Sequence, residues 1–478
     1  MMHAYRLSKG TWILGTLSVA VGLVIGAFVI GLSIVDPPLE WFLLLVLASI
    51  LAPIAVGAGK TKRFLVALIV LDVSLKLDIQ LFSQPINASV DGLWVSLTSL
   101  SLLVLYGLWT IELLTGRAKI DPCVSVSLPA LCFIATGLLS VHNSKAPILS
   151  ALELALNAEL FLMYFYLANH LQDLDDFRFI SRVLLAGLLI VALSILAMYF
   201  LGGFRFMGLG GETLEMGSER FVRSGGLLKH PNVAATYLVP ISMMALAILV
   251  SVSEANFGRL LALVSLPLGV VALILTFSRG GWVSFAVAGL VFTLLALRRK
   301  LLRWQHVVPL IAVLGLLVFL FHEPILHRLL VDDYGSALSR IPLSIIALNM
   351  IKAHPWIGVG INNFMVVVKQ YLTPGTYGAW LAPVHNKYLL VWSETGTIGI
   401  LSFILFYLAI GKEAWQCYKS DHPVFSPLGA ALLAGLCGYA THMMLDRFGS
   451  RSALQLLWLI AAIAYSMRRL RDVLVGDA

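Results

Sequence analysis

The chain consists of long apolar runs interrupted by short charged or Gly/Pro-containing segments. Most runs hold about 20 mostly apolar residues, the length that an α-helix needs to cross the hydrocarbon of a bilayer. The pattern predicts an all-α, polytopic integral membrane protein with about 12–14 transmembrane helices and a large, partly helical external loop. The predicted spans are 12–35, 41–58, 64–83, 92–114, 123–140, 147–169, 181–202, 232–251, 260–277, 281–297, 306–321, 386–411, 425–444 and 452–467.

Composition agrees with this pattern. Hydrophobic residues make up 59% of the 478 residues and charged residues only 12%, with a mean hydropathy of +0.92. The first run is too long for a secretion leader and lacks its small-residue cleavage pattern, so we interpret it as a retained span. No long linker divides the chain, which predicts one membrane domain over residues 1–478. The four cysteines lie in or beside apolar runs, and we expect no disulfide.

Lysine and arginine fix the expected orientation, because short cytoplasmic loops carry an excess of both. One side of the predicted topology receives Arg6, Lys9, Lys60, Lys62, Arg63, Arg117, Lys119, Arg178, Arg182, Arg298, Arg299, Lys300, Arg303, Lys412, Lys419, Arg468, Arg469 and Arg471. We therefore expect this side, and both termini, to be cytoplasmic. The formal net charge of +8 is spread over these short loops rather than gathered on a soluble domain, so we expect no nucleic-acid partner.

Two long segments fall on the opposite side, 203–231 and 322–385. Within the second, Leu338, Ile341, Ile345, Leu348 and Ile351 recur at three- and four-residue spacing. This spacing predicts an amphipathic helix on the membrane face. We interpret the 322–385 segment as a lid or platform rather than a soluble domain.

Basic residues on this external side run against the topological bias and suggest chemistry. They are Arg220, Arg223, Lys229, His230, Arg279, Arg340, Lys352, His385 and Lys387. A guanidinium offers a fork of donors that matches phosphate oxygens and stays charged at any relevant pH. Arginines that face a lipid-linked diphosphate would stabilise it as a leaving group, and a neutral histidine can take the proton of an attacking hydroxyl.

Each of these residues also has a structural interpretation. Arg279 can snorkel to a lipid headgroup, and Arg340 can lie on the wet face of its helix. Arg220 and Arg223 can bind anionic headgroups or pair with Glu215 and Glu219, the acidic residues nearby in the sequence. His385 can simply precede a helix that Asn386 caps. The functional hypothesis depends on their coincidence at one face.

Other polar residues inside the runs receive structural interpretations. Asp72 and Lys76 are spaced to pair along a helix, which would lower the cost of burying either charge. His442 and Asp446 share this spacing near an external helix end, where we expect packing to explain them. The histidines lack the spacing of a zinc site, and we expect no metal cofactor.

Three stretches, "TFSRGGWVSF", "SRIPLSIIALNMIKAHPWIGVGINNF" and "HNKYLLVWSETGTIGI", occur in this order. Together they resemble the core pattern of the bacterial O-antigen ligase and polymerase superfamily. The resemblance covers roughly residues 220–411, which include the external segment 322–385. It implies a multi-pass enzyme of the bacterial inner membrane with its active site at the periplasmic or external face. Such an enzyme transfers a glycan from an undecaprenyl-diphosphate carrier to a sugar hydroxyl without nucleotide sugar or metal.

The resemblance also implies site residues. It places the catalytic groups at Arg279, Arg340 and His385, where the arginines hold the diphosphate and the histidine activates the acceptor. Arg223 resembles a further arginine of the family, and Glu394 matches an acidic position that either orients His385 or packs. The residues that we expect to bind substrate are Arg220, Arg223, Asn386, Lys387 and Glu394. The glycines of "GVGIN" would let the chain turn sharply and approach a ligand.

The leading hypothesis is a membrane glycosyltransferase of surface polysaccharide synthesis, with membrane lipids, a lipid-linked glycan donor and a glycan or lipid-linked acceptor as partners. A polymerase and a ligase share the donor chemistry and differ in the acceptor. The alternatives are a multi-pass transporter or flippase of lipid-linked oligosaccharide, and a non-catalytic scaffold. A transporter typically carries polar groups near the bilayer midplane, whereas the unusual charges here lie at the external face.

Overall fold

A computed structural model describes residues 59–201, 212–216, 219–250, 258–302, 340–379 and 381–476, with isolated positions between 315 and 338. Its α-helices are α1 (Thr61–Leu75), α2 (Leu97–Leu114), α3 (Val124–Ser140), α4 (Pro147–His170), α5 (Leu174–Phe200), α6 (Pro231–Val250), α7 (Arg259–Leu275), α8 (Arg279–Arg298), α9 (Arg340–Ala353), α10 (Phe364–Val367), α11 (Lys387–Tyr418), α12 (Phe425–Met443) and α13 (Arg451–Gly476). Two antiparallel hairpins join β1 (Asp78–Leu81) to β2 (Leu93–Ser96) and β3 (Glu212–Met216) to β4 (Glu219–Arg223).

Among the described residues, eight helices are long and apolar enough to cross a membrane: α2 to α6, α8, α11 and α13. The shorter helix α7 is also apolar. Their bounds follow the predicted spans within a few residues, apart from α5, α11 and α13, which are longer. The prediction of an all-α polytopic membrane protein is confirmed. The predicted spans 12–35 and 41–58, and most of 306–321, lie outside the described residues.

The third and fourth predicted spans, 64–83 and 92–114, are wrong at one end each. Helix α1 ends at Leu75, and the chain continues into strand β1, which pairs with β2 before α2 begins. Leu77, Ile79 and Leu81 alternate with polar residues, the period of a half-buried strand rather than a helix. Apolar residues thus continue to Leu81, but after Leu75 they occur at every second position, and the chain changes from helical to extended structure.

Contacts between helix ends show which ends lie together. At one end, Lys62 of α1 contacts Glu112 of α2 at 2.6 Å, and Arg299 after α8 contacts Asp421 after α11 at 2.9 Å. We call this the basic end, because it collects the lysine-rich and arginine-rich loops. At the other end, which we call the site end, Arg223 precedes α6 and contacts the Thr276 carbonyl after α7 at 3.1 Å. These contacts agree with the predicted alternation of helix direction.

The external segment packs on the start of α11 through its own small core. Leu343 and Met350 of α9, Phe364 of α10 and Leu390 of α11 are buried together in this second cluster. The helix predicted around residues 338–351 is present as α9. The apolar side that the sequence predicted, which includes Ile341, lies mostly outside this cluster, and Ile341 is 55% exposed. Helix α9 is thus apolar on two sides, one buried against α10 and α11 and one exposed.

Helix α11 is interrupted at Gly396, where φ is 69°. The segment "PWIGVG" fills this break: Val359 N donates to the Ser393 carbonyl at 3.0 Å and Thr397 N to the Pro355 carbonyl at 2.8 Å. Gly358, with φ of 70°, lies against the backbone of Glu394, where a Cβ would collide. The glycines of this segment therefore allow a close approach to α11.

Asp72 is buried but does not pair with Lys76, as the sequence spacing had suggested. Its carboxylate Oδ2 contacts Arg451 Nη1 at 2.9 Å, and Arg451 Nη2 contacts Glu159 Oε1 at 2.7 Å. Thr98 Oγ1 donates to the same Asp72 oxygen at 2.7 Å. Lys76 instead ends α1 in a left-handed conformation. This buried network joins α1, α2, α4 and α13.

All four cysteines are free thiols.

Candidate functional site

The turn that carries Arg279 is held tightly between α7 and α8. Phe277 is fully buried with φ of 51°, a strained value for an aromatic residue that turns the chain sharply. Ser278 then caps α8, because its hydroxyl accepts a hydrogen bond from Gly281 N at 3.2 Å. The turn therefore presents Arg279 at the first position of α8, at the site end.

Gly280 brings this turn against the end of α12. A Cβ built on Gly280 would lie 3.1 Å from His442 Cδ2 and 3.4 Å from Leu445 Cβ. His442 is buried, and its Nδ1 lies 3.1 Å from Thr236 Oγ1 of α6. A side chain at position 280 would force these groups apart. His442 packs at its helix end, as we expected, but this end borders the Arg279 turn.

Arg340 reaches the same place from the external segment. It begins α9, and its Nη1 donates to the Leu445 carbonyl at 2.9 Å. Leu445 follows α12 and also faces the Arg279 turn through its Cβ. The loop after α12, residues 444–450, thus lies against the turn that carries Arg279 and accepts a hydrogen bond from Arg340.

His385 lies among charged groups from several elements. Those that act on it are Arg340 of α9, Asp446 and Arg447 of the loop after α12, and His230 before α6. Burial and the positive charge of Arg340 lower the pKa of His385 below its usual value of 6.5, although Asp446 opposes the shift. Since the shift is downward, the neutral imidazole persists at neutral and mildly acidic pH.

Asn386 caps α11: its side-chain oxygen accepts from Leu389 N at 3.0 Å. The structural interpretation of Asn386 is therefore correct, and it leaves His385 just outside the helix. A cap fixes the direction in which the preceding residue leaves the helix. The capped start of α11 thus orients His385 without involving it in helical hydrogen bonds.

Arg223 joins the site through a hydrogen-bond network around Asn232. Arg223 donates from Nε to the Thr276 carbonyl at 3.1 Å and from Nη2 to Asn232 Oδ1 at 2.9 Å. Ser278 Oγ donates to the same Asn232 oxygen at 2.9 Å. Asn232 Nδ2 donates to Asp446 Oδ2 at 2.6 Å. One amide thereby connects the segments that carry Arg223, Arg279 and Asp446.

Three other expected binding residues lie apart from this cluster. Arg220 is in β4, where its Cα lies across from that of Glu215 in the strand register. Lys387 is buried and acts electrostatically on Glu153 of α4 and on Glu394. Glu394 accepts a hydrogen bond from Phe364 N at 3.0 Å, so its carboxylate holds the external segment on α11.

Asn232, Asp446 and Arg447 were not among the expected site residues. Asn232 and Asp446 are 214 positions apart, and no local spacing relates them. The sequence does contain one signal for Arg447. Like Arg279 and Arg340, it is a basic residue on the side predicted to be external, where lysine and arginine are normally rare. Within the described residues, no group of three His, Cys, Asp or Glu side chains is arranged to hold a metal ion.

Comparison with known families agrees with the resemblance noted in the sequence. The family model described as "O-Antigen ligase" matches residues 262–404. This range includes Arg279, Arg340 and His385, whereas Arg223, Asn232 and Asp446 lie outside it. No curated protein matches the chain. The match confirms similarity to the O-antigen ligase and polymerase superfamily and supports a role in O-antigen or related polysaccharide synthesis in a membrane.

Proposed function

We propose that this chain, with its match to the O-antigen ligase family over residues 262–404, transfers a glycan from an undecaprenyl-diphosphate carrier to an acceptor sugar hydroxyl. The transfer takes place at the outer face of the bacterial inner membrane, with the basic end in the cytoplasm. The observation that carries the proposal is that the turn that carries Arg279, the Arg340 guanidinium and His385 all lie near the loop after α12. These residues come from three distant stretches of sequence and converge on one small region.

In the proposed reaction, the acceptor hydroxyl oxygen forms a bond to the anomeric carbon of the donor glycan. The bond between that carbon and the diphosphate oxygen breaks, and its electron pair leaves with undecaprenyl diphosphate. His385 takes the proton of the hydroxyl and later returns it to water. The low pKa of His385, caused by burial and by Arg340, keeps the imidazole neutral and able to accept this proton.

The arginines have the complementary role of binding the diphosphate. Arg340 and Arg223 are oriented by hydrogen bonds to the neutral oxygens of Leu445, Thr276 and Asn232. These contacts fix the direction of each guanidinium. Oriented positive groups stabilise negative charge that develops on a leaving group, and they do so most strongly where water is partly excluded. The same site serves a polymerase or a ligase, since both release the same diphosphate.

Replacement of the histidine and of the turn arginine tests the assignment. In cells that make the polysaccharide, we expect His385→Ala and Arg279→Ala to lose polymer or ligated glycan on gels while the protein remains in the membrane. Loss of a general base typically slows a reaction by about 10²–10⁴-fold. The matched controls are His422→Ala and Arg298→Ala, at the basic end. Normal glycan in either site variant would reject the assignment.

A further inference from the structure

Asn232 is the point at which the segments of the site are joined. Its side-chain oxygen accepts from Arg223 Nη2 and from Ser278 Oγ, each at 2.9 Å. Its side-chain nitrogen donates to Asp446 Oδ2 at 2.6 Å. The three partners precede α6, precede α8 and follow α12, respectively. No other single side chain in the described network contacts all three segments.

The chemistry of these contacts requires an amide. Two donors converge on one oxygen, which uses both of its lone pairs, while a carboxylate accepts from the nitrogen of the same group. An aspartate at this position would retain the two acceptor contacts but would place a second carboxylate against Asp446. A leucine would remove all three hydrogen bonds.

The network connects to the proposed general base through Asp446. This carboxylate faces His385 together with Arg340, Arg447 and His230. Burial alone would raise the pKa of Asp446, but His442, His230 and the hydrogen bonds from Phe448 N and Asn232 lower it overall, so the carboxylate is ionised. Through its amide nitrogen, Asn232 therefore holds the negative charge of Asp446 near the His385 imidazole. Through its amide oxygen, it holds the Arg223 guanidinium.

We propose that Asn232 is a positioning residue of the transferase: its amide sets the placement of Arg223, of the Ser278–Arg279 turn and of the Asp446 carboxylate relative to His385. This inference rests on the proposed function. Asn232 and Asp446 both lie outside residues 262–404. Arg279 and His385 lie inside this range, but Asn232, which lies outside it, sets the position of the groups around them.

The test compares Asn232→Asp and Asn232→Ala with the unaltered protein, purified in detergent and supplied with undecaprenyl-diphosphate-linked glycan from producing cells. We expect Asn232→Ala to lower kcat about tenfold to hundredfold, since a 1 Å misplacement of reacting groups can cost ~100-fold. In Asn232→Asp, the new carboxylate adds negative charge beside Asp446 and near His385, with Arg223 and His230 as its other charged neighbours.

This charge raises the pKa of His385, so the acidic limb of the kcat/KM profile moves to higher pH by about one unit. A merely structural role would reduce the rate equally at every pH. The matched control is Asn169→Asp at the basic end, where the Asn169 amide bonds to the backbone N and carbonyl of an aspartate, Asp121. We expect this control to keep the pH profile of the unaltered protein. Elution as a single monodisperse species confirms that each variant is folded.

The outcomes separate the two proposals. If the unaltered protein transfers glycan and Asn232→Asp keeps its rate and its pH profile, the role of Asn232 is wrong while the transferase stands. A loss in Asn232→Asp that leaves the acidic limb of its pH profile in place also overturns the positioning role. If the unaltered protein releases no undecaprenyl diphosphate from this donor, the proposed function itself fails.

Discussion

Two arginine clusters at the site end differ in what holds their guanidinium groups. Arg451 is buried between two carboxylates, Asp72 at 2.9 Å and Glu159 at 2.7 Å. Arg340 and Arg223 are only partly buried, and they donate to backbone carbonyls and to an amide oxygen. In the first cluster carboxylates hold the guanidinium, whereas in the second the oxygens of backbone carbonyls and of an amide orient it.

This difference separates a structural charge from a chemical one. A buried arginine between carboxylates fastens helices together, because removal of either partner leaves an uncompensated charge in an apolar interior. An arginine that neutral oxygens orient at a half-buried surface is in a position to bind an anion, as the proposed function requires. Both clusters contain arginines at the site end, so the two clusters differ only in the contacts that these arginines make.

The largest expected effect on stability is at Arg451. In Arg451→Met, Asp72 remains buried without its guanidinium, and we expect a loss of about 3–5 kcal/mol in the free energy of unfolding. Thermal unfolding in detergent measures it. Arg340→Gln is the matched control, which we expect to change this free energy by less than about 1 kcal/mol. Equal losses in the two variants would remove the distinction between the clusters.

An intermediate effect is expected on the pH profile of Arg340→Gln. The positive charge of Arg340 helps to lower the pKa of His385, so its removal lets that pKa rise toward 6.5, the usual value. The acidic limb of kcat/KM then moves to higher pH, and the maximal rate falls because a diphosphate contact is lost. Lys352→Gln, an exposed position at the other end of α9, provides the control. An unshifted limb in Arg340→Gln would mean that Arg340 does not act on His385.

The smallest expected effect is at the cap of α11. Asn386→Ala removes the hydrogen bond to Leu389 N, and loss of such a cap typically costs about 1 kcal/mol of stability. We expect a slightly lower unfolding temperature and a reduced rate, because His385 is no longer held as firmly. Asn386→Asp keeps a cap acceptor and should restore stability. If Asn386→Ala matches the unaltered protein in both measurements, the cap does not orient His385.

Much of the helical architecture could be predicted because membrane spans are encoded locally, as apolar runs with charged ends. The hairpin of β1 and β2 was missed because its first strand continues the apolar run of α1. The alternation of Leu77, Ile79 and Leu81, and the turn residues Pro85 and Gly92 that follow, were the available signals.

The site could be predicted only in part, for a related reason. Arg279, Arg340 and His385 stand out locally as basic residues on the side predicted to be external, in stretches that resemble a known pattern. The partner of Asp72 was predicted wrongly, because Lys76 is a local neighbour while Arg451 is 379 positions away. Asn232 was missed because its role depends on contacts between distant segments, which carry no periodic signature.

The most direct measurement of the central claim is the release of undecaprenyl diphosphate by the purified protein. With an undecaprenyl-diphosphate-linked glycan, an acceptor glycan and a chelator present, we expect equal amounts of transferred glycan and free undecaprenyl diphosphate, with both lost in Arg279→Ala and retained in Arg298→Ala. Transfer that persists in Arg279→Ala, or turnover that stops with the chelator and returns with divalent metal, would contradict the claim that these guanidinium groups and His385 carry out the reaction.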